Sequence, residues 1–255
     1  MTAVLDHPLV VFVLCLVVLW LSAQIGVRIR RKRRLLNEDE YADLGVIQGA
    51  ALTLLALIIG FSFSMAVGRY DQRKNLEEEE ANAIGTEYVR AGLLPAAEAA
   101  RVRQFLKSYV DQRVLFYTTR DANRLEQVNA AIDRLQSDLW SAIQAPVNAQ
   151  PTPVAALVAS GMNDVLNSQG YTQAAWWNRI PVAAWCLMLA IGIAGNVLVG
   201  FTMREAAPKP KQFFVLPGIV AVSFFLIADM DSPRWGVIRV APQNLISLSA
   251  SLHAQ

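Results

Sequence analysis

LTLLALIIGFSFSMAVGRYDQRKNLEEEEANAIG, Leu52 to Gly85, decides the fold of this chain. Its first half is apolar enough to cross a bilayer, and its second half is densely charged. The passage between them holds no Pro and only Gly68, so no helix-breaking loop divides the two. The pattern predicts one rigid helix that leaves the bilayer at about Gly68 and continues into water. Such a helix couples a soluble region mechanically to the membrane.

Working outward, 54% of the 255 residues are hydrophobic, more than a soluble domain usually carries. They concentrate in four blocks: Pro8 to Val27, Gly45 to Val67, Ile180 to Met203 and Phe213 to Ala228. The first three are long enough for a helix to cross ~30 Å of hydrocarbon at ~1.5 Å per residue. The fourth is short and is extended to Met230, which places Asp229 at the interface. A buried core helix is the other reading of that block. The first block does not read as a signal peptide, because no Lys or Arg precedes it and no convincing small-residue cleavage site follows.

The cluster RIRRKRR follows the first block directly, with Arg28, Arg30, Arg31, Lys32, Arg33 and Arg34 as its basic residues. The positive-inside rule places this loop in the cytoplasm. Arg204, Lys209 and Lys211 against Glu205 put the link between the last two spans on the same side, as an even number of crossings requires. The N-terminus, the long segment between spans two and three, and the C-terminus are then expected in the periplasm. The overall charge of +2 carries no nucleic-acid signature. Its basic residues sit beside a span, where each contributes ~1 kcal/mol with anionic headgroups. The bilayer is the expected partner, and no nucleic acid is. The two cysteines, Cys15 and Cys186, lie within apolar spans and read as small hydrophobes, not as a disulfide or thiolate site.

The expected class is therefore all-α: a polytopic membrane protein with four transmembrane helices and a helical extramembranous bundle between spans two and three. Residues 1–67 hold spans one and two around a basic loop at 28–44. Residues 68–179 form the helical domain, 180–230 spans three and four, and 231–255 a tail outside the membrane. Within the helical domain Leu93-Leu94-Pro95 is a break, and Pro95 sets up a helix from Ala96. Val102, Phe105, Leu106, Tyr109, Val110 and Val114 form its apolar stripe. A third helix starts near Asp121, which can cap it, and Pro146, Pro151 and Pro153 mark a loop. A fourth runs from about Val154 to Gln169.

Several groups could carry chemistry. Glu77 to Glu80 and Glu87 point around the helix, ~100° apart, and read as a solvated face or as a cation-attracting rim. Arg69 and Asp71 lie where span two exits, and Asp229 and Asp231 where span four exits. They make a membrane-surface latch or an ion site, and two carboxylates alone are a poor Ca²⁺ site. On span two, Leu57, Phe61 and Met65 form one i, i+4, i+8 triplet, and Ile59, Phe63 and Val67 another. Either could line a hydrophobic constriction, or face lipid or another helix. Gly192, Gly195, Asn196 and Gly200 suit close packing of span three, with Asn196 in a pore wall as the alternative. Trp176, Trp177 and Arg179 belong at a membrane–water boundary, with Pro181 at a helix start. No nucleophile elbow, Walker loop, dinucleotide fingerprint or HExxH is present, and the only histidines are His7 and His253. No enzyme activity, cofactor or metal is expected.

GFSFSMAVGRYDQRKNLEEEEANAIGT, Leu93-Leu94-Pro95, Arg179-Ile180-Pro181 and DMDSPRWG at Asp229–Gly236 together resemble an uncharacterised bacterial membrane family, the bestrophin-like proteins. The likeness covers nearly the whole chain. Through that family it is distantly similar to bestrophins, which are pentameric anion channels with the second span lining a hydrophobic neck. The resemblance implies a homo-oligomeric ring, a pentamer by analogy, that conducts inorganic anions with span two around the pore. Bestrophins keep their helical region in the cytoplasm, whereas the basic cluster here points it outward. A non-conducting, membrane-anchored interaction or sensing module is the rival reading. Conductance in planar bilayers and detergent-solubilised mass discriminate the two.

Overall fold

The computed structural model describes residues 5–32, 37–149, 151–203 and 212–254. The helices are α1 (Pro8–Arg31), α2 (Glu38–Arg90), α3 (Ala96–Thr118), α4 (Ala122–Ala149), α5 (Pro153–Trp177), α6 (Val182–Thr202), α7 (Gln212–Asp231) and α8 (Gln243–His253), with a 3₁₀ turn at Ala91–Leu93. The described residues contain no strand. Among them four helices are long and apolar enough to cross a membrane: Pro8–Arg31, Phe214–Asp231, and stretches within Glu38–Leu93 and Pro153–Thr202. The protein is a polytopic, all-α membrane protein.

α2 is one helix of 53 residues that passes through Gly68 without a break. It starts at Glu38, not at the apolar boundary near Gly45, because Asn37 and Glu40 form a capping box. The Asn37 N–H donates to Glu40 Oε2 at 2.9 Å, and the Glu40 N–H donates to Asn37 Oδ1 at 2.7 Å. With α1 reaching Arg31, helix occupies much of the stretch read as a loop at 28–44.

The chain divides into two compact units. The first comprises the described residues up to Arg69 together with Arg179–Arg239. In it α1 packs on both α6 and α7. Leu19, Leu55, Ala66, Met188, Phe224 and Ile227 form its apolar core. The α1–α6 crossing is close because two glycines allow it. A Cβ at Gly26 would lie 2.1 Å from the Val197 carbonyl oxygen, and one at Gly200 2.0 Å from that of Ala23. Asn196, fully buried on α6, donates to the Gly192 carbonyl at 2.8 Å. Arg30 donates to the Met203 carbonyl just past α6 and stacks over Tyr41 at 5.1 Å. It thereby satisfies a helix-end acceptor. Arg28, Arg31 and Lys32 are exposed, and Arg33 and Arg34 lie outside the described residues.

The second unit comprises Tyr70–Asn178 and Val240–Gln255. α3 packs on α4 and α8, and α4 on α5. Ile84, Leu106, Tyr109, Ile132, Leu139 and Met162 are central to its core. Asp121 caps α4 by accepting the Arg124 N–H at 2.8 Å, and Thr152 caps α5 by accepting that of Ala155 at 3.1 Å. Three boundaries differ from the sequence reading. α4 continues through Pro146 to Ala149, since a proline so near a helix end removes only one intrahelical bond. α5 runs past Gln169 to Trp177 because Thr172, Ala175 and Trp176 extend its buried face. The tail contains α8, whose Leu245 and Leu252 enter the core.

Candidate functional site

Four chain segments of the first unit meet at one charged cluster. Asp231, at the end of α7, is 1% exposed. Its Oδ1 accepts from Arg69 Nη1 at 3.3 Å and its Oδ2 from Arg179 Nε at 3.0 Å. The Ile180 N–H donates to the same carboxylate at 3.1 Å. Arg179 also donates to Asp6 Oδ1 at 2.7 Å, just before α1. Burial alone would depress the Arg179 guanidinium, but its bonds to Asp6 and the charge of Asp231 hold it above its ordinary value. One carboxylate thus ties together Arg69 within α2, the entry to α6 and the end of α7, and Arg179 adds the entry to α1. Two guanidiniums and one backbone N–H converge on the Asp231 carboxylate as charge-assisted pairs.

The neighbouring acid works differently. Asp229 is buried and accepts the backbone N–H groups of Val237 at 2.6 Å and Ile238 at 2.8 Å. It fixes the turn that follows α7. Gly236 makes that turn possible: a Cβ there would sit 2.3 Å from the Asp229 carbonyl oxygen. Ser232 Oγ donates to the Asp6 carbonyl at 3.1 Å, and the Trp235 ring lies 5.2 Å from that of His7. The segment DMDSPRWG is therefore a folded corner in which Asp229, Asp231 and Ser232 each have their own partners. Asp71 lies two residues beyond Arg69, in the second unit, and is exposed. Arg179 and Asp6 belong to the cluster although the sequence reading gave them no place in it. The acid–Arg spacing that would have revealed them spans 52 and 173 residues.

Within the first unit, span two turns Leu55, Ser62 and Ala66 inward. Leu57, Phe61 and Met65 stand on the outward side, 53%, 63% and 46% exposed. In the other triplet, Phe63 is exposed while Ile59 and Val67 are half-buried.

The family profile of the Bestrophin-like domain matches residues 9–245. The chain belongs to that family. Its fold is similar to that of a bacterial bestrophin homologue from Klebsiella pneumoniae solved as an aspartate-to-alanine variant. The TM-score is 0.67 at 15% identity, over 95% of this chain and 97% of the other. A bacterial bestrophin homologue from the same organism, phased on zinc, gives a TM-score of 0.64 at 15% identity over 93% and 98%. A glycine-to-alanine variant described as a membrane protein gives 0.66 at 13% over 95% and 96%. At these identities the likeness is one of fold. Comparison with curated proteins finds no match.

In the second unit of this bestrophin-like chain only half of the acidic run Glu77–Glu80 is a solvated face. Glu78 and Glu79 are exposed, but Glu77, Glu80 and Glu87 are at most 1% exposed. Glu80 pairs with Arg113 on α3 through Nε to Oε1 and through Nη2 to Oε2, the latter at 3.1 Å, and accepts from Thr172 Oγ1 on α5 at 3.2 Å. Arg113 stacks over Phe116 at 4.5 Å. Burial first, and the Glu80 charge second, push the Tyr117 phenol up, so it stays a neutral donor facing that carboxylate at 3.5 Å. Glu77 accepts the Leu245 N–H at 3.0 Å and the Asn244 amide at 2.8 Å, which caps the N-terminus of α8 from another helix. Asp111 holds the far end of α8 through Ser249 at 2.6 Å and His253 at 3.0 Å. The run was read as solvated because its partners are remote in sequence.

Proposed function

We propose that this chain assembles into a homo-oligomeric, bestrophin-like channel in which span two lines a pore for inorganic anions. The observation that carries the proposal is the outward stripe Leu57, Phe61 and Met65. These are large apolar side chains left uncovered on a helix whose opposite face is buried in its own unit. A ring of subunits would bring such stripes together as a hydrophobic constriction that gates by dewetting. Family membership and the shared fold support this reading, and the pentameric count follows the analogy with bestrophins. The cluster of Arg69, Arg179, Asp6 and Asp231 then acts as the clamp that keeps the spans in register at one membrane surface. The basic residues after α1 support an inner-membrane orientation with that surface, and the termini, in the periplasm.

Purified protein in planar bilayers tests the channel. Anion-selective conductance that rises in Phe61→Ala is the expected result, since a smaller side chain widens and wets a constriction. A monomeric mass in detergent, or silent bilayers for both proteins across pH and voltage, would refute it. A reporter fused after Ala149 tests the orientation and should read as periplasmic.

A further inference from the structure

Glu77 and Glu80 meet donors from other helices, but Glu87, two turns further along α2, does not. It is fully buried, and neither carboxylate oxygen has a hydrogen-bond partner among the described residues. α5 leaves it a place: a Cβ on Gly161 would lie 2.0 Å from Glu87 Oε2. Gly161 stands on the buried face of α5, between Val158 and Val165. The carboxyl therefore packs on a bare Cα, which offers it no donor. A neutral acid tolerates that setting, whereas a desolvated carboxylate does not.

A partner for the charged form reaches the same point. Arg90, half-buried, brings its Nη1 to 2.6 Å from that Cβ position, yet no hydrogen bond joins it to Glu87. Positions three apart on a helix share a face. Arg90 also ends α2, where the helix dipole favours a cation. From α5 the charged group facing Glu87 is Asp164, which is exposed. Arg103 of α3 is committed to the Tyr88 carbonyl at 3.2 Å, and Glu80 to Arg113. The seam between α2 and α5 thus offers one carboxyl two settings, an apolar one and an ionic one. Burial outweighs the pull of Arg90 and pushes the carboxyl up to about 8, within reach of ordinary buffers. We propose that Glu87 is a proton-operated switch in this seam: neutral, its carboxyl packs on the bare Cα of Gly161; ionised, it leaves that contact and pairs with Arg90.

Infrared difference spectra of the full-length protein in detergent, recorded against pH, test this, because a neutral acid and a carboxylate absorb at separate frequencies. The wild type should show a neutral-acid band that is lost as pH rises through about 8, and Glu87→Gln should lack it. The same wild-type spectrum should carry a change in the arginine guanidinium bands, which ion pairing perturbs. Arg90→Lys should lose that arginine signal and keep the titration. Arg90→Gln should raise the midpoint by about one pH unit or more, since the opposite charge is gone. Gly161→Ala should lower it, because the methyl takes the place of the neutral carboxyl and displaces only the flexible ends of Glu87 and Arg90. Equal spectra for wild type and Glu87→Gln, a wild-type titration without an arginine signal, or a Gly161→Ala midpoint that does not fall would overturn the assignment. The wild-type spectra depend on no variant folding, and none of these readouts needs conductance, so they stand apart from the channel reading.

Discussion

Glu87 is the buried group whose titration the protein should feel most. It is fully buried on α2, and neither carboxylate oxygen has a hydrogen-bond partner among the described residues. Gly161 on α5 leaves it room: a Cβ there would lie 2.0 Å from Glu87 Oε2 and 2.6 Å from Arg90 Nη1. Burial raises its carboxyl from about 4.5 to about 8; Arg90 pulls the value down and Asp164 pushes it up, and burial wins. Between those two pH values the native state holds a proton that the unfolded chain has released. Stability therefore falls as pH rises from about 4.5 to about 8, and this contribution is flat on either side. One proton is worth about 1.4 kcal/mol per pH unit, so the whole window amounts to ~3–5 kcal/mol. Glu87→Gln keeps the shape and removes the titration.

The assay is the melting temperature of the full-length protein in detergent, wild type against Glu87→Gln, from pH 5 to pH 9. The other carboxylates titrate alike in both proteins, so the difference between the two curves isolates Glu87. The variant should gain on the wild type steadily up to about pH 8, by ~2–4 °C per kcal/mol, and then hold its lead. Parallel curves across the range would refute the argument, because they would mean that Glu87 is charged in the folded protein and solvated or paired there.

Arg113→Ala should cost ~3–5 kcal/mol in thermal melts, because it strands the Glu80 carboxylate in the core, whereas replacing both residues by Leu and Met should restore much of that loss. Asp231→Asn should lower the melting temperature by the equivalent of ~1–3 kcal/mol, less than for a fully buried pair, since Arg69 and Arg179 retain 15% and 26% side-chain exposure. Gly200→Ala should cost at least ~1–3 kcal/mol by driving a methyl into the Ala23 carbonyl, while Gly60→Ala, with nothing within 4 Å, should leave the melt unchanged or raise it slightly.

What could be read from the chain follows from the range of the forces involved. Spans depend on local composition, so the four apolar blocks were legible, and so was the unbroken passage through Gly68 that makes α2 one helix. Caps that lie within three residues of the groups they serve are also local: Asp121 stands alone before its helix, whereas the Asn37–Glu40 box lies ahead of the apolar boundary near Gly45, which hides it from a reading by hydropathy. α8 carried its own signal in Leu245, Leu248 and Leu252 at helical spacing, which a loop-like Pro242 entry obscured.

The fate of the glutamates was not local. Glu80 meets Arg113 at a separation of 33 residues and Thr172 at 92, and Glu77 meets Asn244 at 167. Four identical letters in a row therefore split into two buried and two exposed residues with nothing in the run itself to tell them apart. The clue lay on the other helix. Arg113 sits inside the apolar stripe of α3, three residues from both Val110 and Phe116, on the face that is buried throughout. A guanidinium cannot enter a core without an anion to meet it. An arginine at a core register of one helix and a carboxylate run on another, each anomalous alone, explain one another, and that complementarity was the readable part of the site.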